Sequence, residues 1–255
     1  MLRHEMLKSL HDLLEPRSYF EIGVHIGMSL TYSRTRSVAV DPFFKISREI
    51  RCDVHLVRTT SDEFFARKHP FAHLDEPVVD LAFIDGMHLS EYALRDVINT
   101  ERYTSAGSVI VVDDMLPRSD NEAARDRDAA GLAGHAWAGD VFKLIPTLRA
   151  LRPDLVCLEV DTQPTGTMVL LLPDASSTVL ADSYDDIVED YVSPDPQSVP
   201  TEILGRTRSV TPEELVSLPI WARLRELRSQ PDATARPALR KVLDDAGLIG
   251  TVTHA

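Results

Sequence analysis

Apolar residues recur at helical spacing over residues 2–14, where Leu2, Met6, Leu7, Leu10, Leu13 and Leu14 share a face and Pro16 ends the run. Seven short, nearly continuous apolar runs follow, at 19–23, 37–41, 53–57, 78–84, 108–112, 155–160 and 167–172. Between them, residues 26–34, 90–102 and 141–151 read as helix. Strands apolar on both faces that alternate with helices predict a doubly wound, mostly parallel α/β sheet. The last two runs are joined only by residues 161–166, with Pro164 and Gly166. That is too short for a crossover helix, so they form an antiparallel hairpin. Beyond residue 174 strand signals fade, prolines gather, and helices are expected at 211–228 and 236–246. Thr211, Pro212, Glu213 and Glu214 make a strong helix start: a capping residue, proline at the first position and acidic residues in the first turn. The chain thus divides into an N-terminal helix (1–17), a sheet domain (18–173) and a helical appendage (174–255) that packs on the domain or on a second subunit.

Charge narrows the partners. The 255 residues carry 27 Lys and Arg against 40 Asp and Glu, a formal net charge of −13. Nucleic acid and anionic lipid both call for clustered basic residues, and none is present. The two cysteines, Cys52 and Cys157, have no metal-type spacing. No apolar run approaches the length of a membrane span, and residues 1–15 lack the apolar core of a signal sequence. A cytoplasmic protein with no nucleic-acid or membrane partner is the expectation.

The first strand closes on Glu21-Ile22-Gly23-Val24-His25-Ile26-Gly27. Gly23 allows a tight turn and a ligand against bare backbone, and Gly27 allows close approach near a helix start, whose free N–H groups suit an anion. Asp41, ending the next strand, is placed to accept both hydroxyls of a ribose. The glycines are four apart, so the dinucleotide pattern of nicotinamide oxidoreductases is not met. A plain glycine turn with an acidic neighbour is the alternative.

These segments, with Val40-Asp41-Pro42, Leu81-Ala82-Phe83-Ile84-Asp85-Gly86 and the closing hairpin, resemble the class I S-adenosylmethionine-dependent methyltransferases over residues 18–172. The resemblance implies the strand order 3-2-1-4-5-7-6. It implies that the methionine part of S-adenosylmethionine lies over residues 21–27, with Glu21, Gly23 and Gly27 as cofactor residues, and that Asp41 holds the ribose. Thr60, Ser61 and Asp62 would flank the adenine, and Asp85 would border the cofactor.

Asp85 ends the fourth run, and Asp113 and Asp114 end the fifth. Ligands of open α/β sheets bind outside the carboxyl ends of the strands, and neighbouring strands lie about 4.8 Å apart. Three carboxylates that close repel one another unless a cation sits among them. Mg2+ or Mn2+, held by Asp85, Asp113 and Asp114, is the expected answer. His88, three residues past Asp85, is the expected base for a metal-bound hydroxyl. The set resembles the metal-dependent O-methyltransferases of catechol and macrolide-sugar or aminocoumarin-sugar type. Some members are proposed to use an aspartate two positions past the first; Met87 stands there in this chain and excludes that variant. An Asp-Gly turn and a capping pair are the bland alternative. His135 and Trp137 either line an acceptor pocket or are a solvated histidine and a core tryptophan.

The expected activity is transfer of a methyl group to a small hydroxylated molecule, such as a sugar-bearing natural product or a polyphenol, by a monomer or homodimer. Two alternatives stand beside it: a metal-independent N- or O-methyltransferase, and a silent binding or dimerisation module of the same fold.

Overall fold

The structure is a computed structural model that describes residues 1–128 and 136–249. Its sheet has seven strands: β1 (Ser18–Ile22), β2 (Arg36–Val40), β3 (Val54–Val57), β4 (Leu81–Ile84), β5 (Val109–Asp113), β6 (Val156–Val160) and β7 (Thr167–Leu171). They run in the order β3-β2-β1-β4-β5-β7-β6, with β7 antiparallel to both β5 and β6. The expected order and hairpin are therefore present. In register, Ile22 pairs with Val40 and with Ile84, and Ile84 pairs with Val112. This alignment brings Gly23, Asp41, Asp85 and Asp113, each one residue further on, to one edge of the sheet.

Alternate side chains enter opposite cores because successive strand residues face opposite ways. Phe20, Val38, Ala82 and Ile110 face one layer, with α2 (Ser61–Phe65), α3 (Ser90–Glu101) and α4 (Leu144–Leu151). Tyr19, Ala39, Phe83 and Val111 face the other, where Met6, Leu7, Leu10 and Leu14 of α1 (Arg3–Leu14) are buried. The appendage packs on the domain and contributes to both cores. Leu180, Ile187 and Ile203, from α5 (Val179–Asp182), α6 (Tyr184–Tyr191) and α7 (Thr201–Leu204), join the first. Leu215, Trp221, Leu239 and Leu243, from α8 (Pro212–Ser217), α9 (Trp221–Leu227) and α10 (Asp232–Asp245), join the second, beside α1. Among the described residues no helix is long and apolar enough to cross a membrane.

Two helical expectations are corrected. Residues 26–34 hold only a single 3-10 turn, Ser29–Tyr32. Gly23, His25 and Gly27 have positive φ, and the carbonyls of His25 and Ile26 accept the N–H groups of Lys45 and Ser47. The carbonyls that an α-helix would use for its own ladder are thereby committed elsewhere. Residues 211–228 form two helices, not one, because Pro219 falls between α8 and α9.

The start of α1 is held by a distant turn. Leu2 makes a parallel bridge with Gln163, and the Arg3 N–H donates to the Gln163 carbonyl at 3.2 Å. The ends of α3 and α4 are joined by a buried pair in which Arg152, 1% exposed, donates to both Glu101 oxygens at 2.6 and 2.8 Å. Arg152→Ala leaves Glu101 buried without its cation, and we expect a loss of about 3–5 kcal/mol, read by denaturant unfolding.

Candidate active site

Gly23 follows β1 with φ +90°, and a Cβ there would lie 1.7 Å from the Asp85 carbonyl oxygen. The glycine is demanded first by the end of β4: the Asp85 N–H donates to the Ile22 carbonyl at 2.9 Å. Asp41 ends β2. Its Oδ2 accepts the His25 N–H at 2.7 Å and its Oδ1 the Phe43 N–H at 2.5 Å. A carboxylate has about four acceptor sites, so two N–H donors leave capacity toward the cavity. Ser61 and Asp62 open α2 beneath a Thr60 cap. Asp62 is paired through both oxygens with Arg95, at 3.0 and 2.7 Å.

At the other end, His88 lies between two carboxylates. Its Nε2 is 3.3 Å from Asp85 Oδ1 and its Nδ1 is 3.2 Å from Asp114 Oδ2. Nδ1 is also 2.8 Å from the Trp137 carbonyl, and the Trp137 ring stacks on the imidazole at 4.8 Å and 12°. Thr165 donates its hydroxyl to Asp114 Oδ1 at 2.6 Å. Asp113 turns the other way, with Oδ2 2.9 Å from Arg3 Nε. Arg3 Nη2 is 3.6 Å from Asp85 Oδ2.

These contacts set the protonation of the cluster. Burial pulls the His88 imidazole down, but the Asp114 charge and the Asp85 hydrogen bond outweigh it and push it up to about 10. Burial raises Asp85, yet His88 and Arg3 hold it below the ordinary carboxylate range. Burial pushes Asp114 up to about 6, with the His88 charge opposing. Burial and the Asp114 and Asp85 charges push Asp113 up strongly, and Arg3 opposes them.

The loop carrying Trp137 is fixed to the turn carrying His88. The Ser90 N–H, at the start of α3, donates to Asp140 Oδ1 at 2.8 Å, and Arg125 and Lys143 reach Asp140 Oδ2 at 2.6 and 3.0 Å. Gly139 has φ +61°, and a Cβ there would meet the His88 carbonyl oxygen at 1.6 Å.

One cavity of about 810 Å3 runs along this edge. Of the ten residues expected from sequence, Gly23, Asp41, Ser61, Asp62, Asp85, His88 and Asp114 lie on its wall. Glu21, Gly27 and Asp113 do not. Glu21 is fully buried behind the loop, accepting the Tyr19 hydroxyl at 2.7 Å and the Ser29 hydroxyl at 2.9 Å. It therefore braces the turn rather than facing a ligand. Gly27 faces Ile46 and Ile50. Asp113 is turned to Arg3, so the three carboxylates converge without pointing at one place. His135 lies outside the described residues. Trp137 stands on the cavity wall, not in the core, as do three residues that sequence reasoning missed: Arg3, Asp96 and Thr165. Burial pushes the Asp96 carboxyl up to about 7, against a Ser61 hydrogen bond.

Residues 20–115 match the family described as Methyltransferase domain. That segment contains the Gly23–Gly27 loop and the Asp85–His88 turn, and it is embedded in the 3-2-1-4-5-7-6 sheet. Over that segment the chain is similar to methyltransferase domains. No curated protein matches the chain. Among solved structures it is similar to cofactor-bound Rv0187 from MTB, at 16% identity over 68% of this chain and 82% of that one, with a TM-score of 0.47. It is also similar to the O-methyltransferase TomG of Streptomyces achromogenes, in complex with SAM (16%, 67% and 79%, 0.45). A third is an O-methyltransferase of Bacillus cereus in complex with SAH (15%, 66% and 80%, 0.43). Likeness at this level bears on neither substrate nor residue roles.

Two measurements check the cofactor-side loop. Glu21 is pushed up from its ordinary 4.5 to about 8 by burial, against the Tyr19 and Ser29 hydrogen bonds. A folded-state value above the unfolded one means stability that is complete below 4.5 and lost as pH rises to about 8. Thermal unfolding of the wild type should therefore fall in Tm across that window, by about 1.4 kcal/mol per pH unit at most, while Glu21→Gln lacks this slope. Gly23→Ala must displace the Asp85 backbone, so it should lower Tm and abolish binding of S-adenosylhomocysteine in calorimetry.

Proposed function

We propose that this protein transfers the methyl group of S-adenosylmethionine to a hydroxyl of a small molecule bound against His88. The observation that carries the reading is the continuity of the cavity. A single space joins Asp41, Ser61 and Asp62, residues suited to a nucleoside, with the Asp85–His88–Asp114 cluster. Its volume of about 810 Å3 falls within the usual 300–1,000 Å3 of ligand sites. Phe43 and Met87, exposed apolar side chains, also stand on its wall, and they suit a largely apolar acceptor such as a polyphenol or the aglycone of a glycosylated natural product.

In this reading the methionine part lies over Gly23, the ribose hydroxyls reach the free lone pairs of Asp41, and the adenine rests beside Ser61 and Asp62. The acceptor oxygen attacks the methyl carbon, the carbon–sulfur bond breaks, and its electron pair stays on sulfur. The hydroxyl proton needs an acceptor. His88 was the expectation from sequence, but its Nδ1 faces a carbonyl and its Nε2 a carboxylate, so both nitrogens carry hydrogen and neither has a lone pair to offer. The oxygens of Asp85 and Asp114 take the proton, and the imidazolium steadies the oxygen as it sheds it. Holding the two reactants in line supplies most of the rate.

A divalent ion was also expected at this cluster. Asp85, His88 and Asp114 do bring one donor atom each to within 4.8 Å of one another. His88, however, already turns Nδ1 to the Trp137 carbonyl and Nε2 to Asp85. Between Asp85 and Asp113 lies the Arg3 guanidinium. The residues as arranged do not fit Mg2+ or Mn2+, and no step is routed through one. This corresponds to the metal-independent alternative raised from sequence.

S-adenosylhomocysteine should bind in calorimetry, and Asp41→Ala should weaken it at least about tenfold, the loss of one or two hydrogen bonds to a charged group. Absence of binding at millimolar concentration overturns the proposal. With radiolabelled S-adenosylmethionine and a panel of polyphenols and glycosides, His88→Ala should lower turnover by about 10²-fold or more while leaving cofactor affinity unchanged.

A further inference from the structure

We infer that Arg3 is the resident counter-cation of the acidic site: its guanidinium stands where a divalent ion would join Asp85 to Asp113, and it excludes such an ion. The inference concerns the site assigned above to methyl transfer, but it is read by cation binding, so either proposal can fail alone.

The Asp113 side chain is fully buried, and among the described residues Arg3 is the cation that pairs with it. A carboxylate buried without a cation is costly, so the position has to be filled. The same guanidinium faces Asp85 Oδ2 at 3.6 Å while Asp85 Oδ1 faces His88. Each of the two carboxylates thus already has a positive partner on the side an ion would approach. The other arginine on the cavity wall, Arg127, lies over the Trp137 ring, 5.8 Å from its centroid, and is no substitute. A second cation at contact distance from these oxygens would meet Arg3 at a few ångströms, where like charges repel by several kcal/mol in a poorly solvated site.

Arg3 does not reach this place by a flexible arm. It opens α1, which is fixed at its start by the bridge of Leu2 with Gln163 and along its length by Met6, Leu7 and Leu10 in the core beneath. The side chain is 24% exposed, so it is held in the wall rather than waving across the mouth. Arg3 Nε and both Asp113 oxygens make no hydrogen bond, so the pairing rests on charge, which lysine equals in sign.

The test is Mn2+ titration followed by electron paramagnetic resonance, with circular dichroism and thermal unfolding reporting that each variant is folded. The wild type should bind Mn2+ no more tightly than about 1 mM, and Arg3→Gln at least about tenfold more tightly. Arg3→Lys, which keeps the charge, should behave as the wild type. Asp113→Asn added to Arg3→Gln should abolish the gain. If Arg3→Gln alone does not fold, that double variant should fold, because it removes the stranded carboxylate together with its partner. Tight Mn2+ binding by the wild type overturns the inference. So does a folded Arg3→Gln that gains no affinity, and so does a double variant that fails to recover folding lost in the single one.

Discussion

Mutual repulsion among Asp85, Asp113 and Asp114 is the constraint to which the rest of the site answers. Strand pairing makes it unavoidable, because β4 and β5 are neighbours in register, Asp85 follows β4, and β5 ends on Asp113 with Asp114 next. Such a cluster is stable only with positive charge among its members. Here a histidine and an arginine provide it from the chain itself. An imidazole and a guanidinium thus stand among the three aspartates. Their placement then decides the chemistry: the imidazolium is on the cavity wall between two acceptors, and the guanidinium braces the pair from the side of α1.

The scaffold explains why so few groups are needed. Ile22, Val40, Ile84 and Val112 end their strands level with one another, so every loop that follows opens on the same edge. Rigid strands carry the polar residues, and the loops only close around them. The Trp137 loop is held by contacts to backbone: the Trp137 carbonyl on His88, Asp140 on the start of α3, and the close approach of Gly139 to the His88 carbonyl. The imidazole is thereby gripped from the ring face, from Nδ1 and from its own peptide.

Much of this could be read from the sequence, for a physical reason. Strands buried on both faces leave unbroken apolar runs, and the residue where each run stops is where a ligand-facing group must lie. Gly23, Asp41, Asp85 and Asp114, which stand where such runs stop, lie with His88 on the cavity wall. Glu21 was misread as facing a ligand, although the signal was present: in an alternating strand it shares a face with Tyr19, which packs toward α1, and not with the cavity. The helix expected at 26–34 failed because its carbonyls are spoken for by residues 45 and 47, a non-local contact that periodicity does not register. Arg3 was invisible for a similar reason. On an amphipathic helix a lone arginine reads as surface, and only the pairing of Leu2 with Gln163 turns it inward.

That pairing has a consequence for assembly. Residue 3 is made before its anchor, the turn at residue 163, and before its partner, Asp113. The cation of the site therefore waits for the hairpin of β6 and β7 to add itself to β5, a contact of high sequence separation that closes late because of the loop entropy involved. Until then the aspartates of β4 and β5 are held together by strand pairing without their arginine. A segment made early thus becomes a late piece of the wall, and the candidate site is complete only when residues 2 and 3 fold back onto the turn at residue 163.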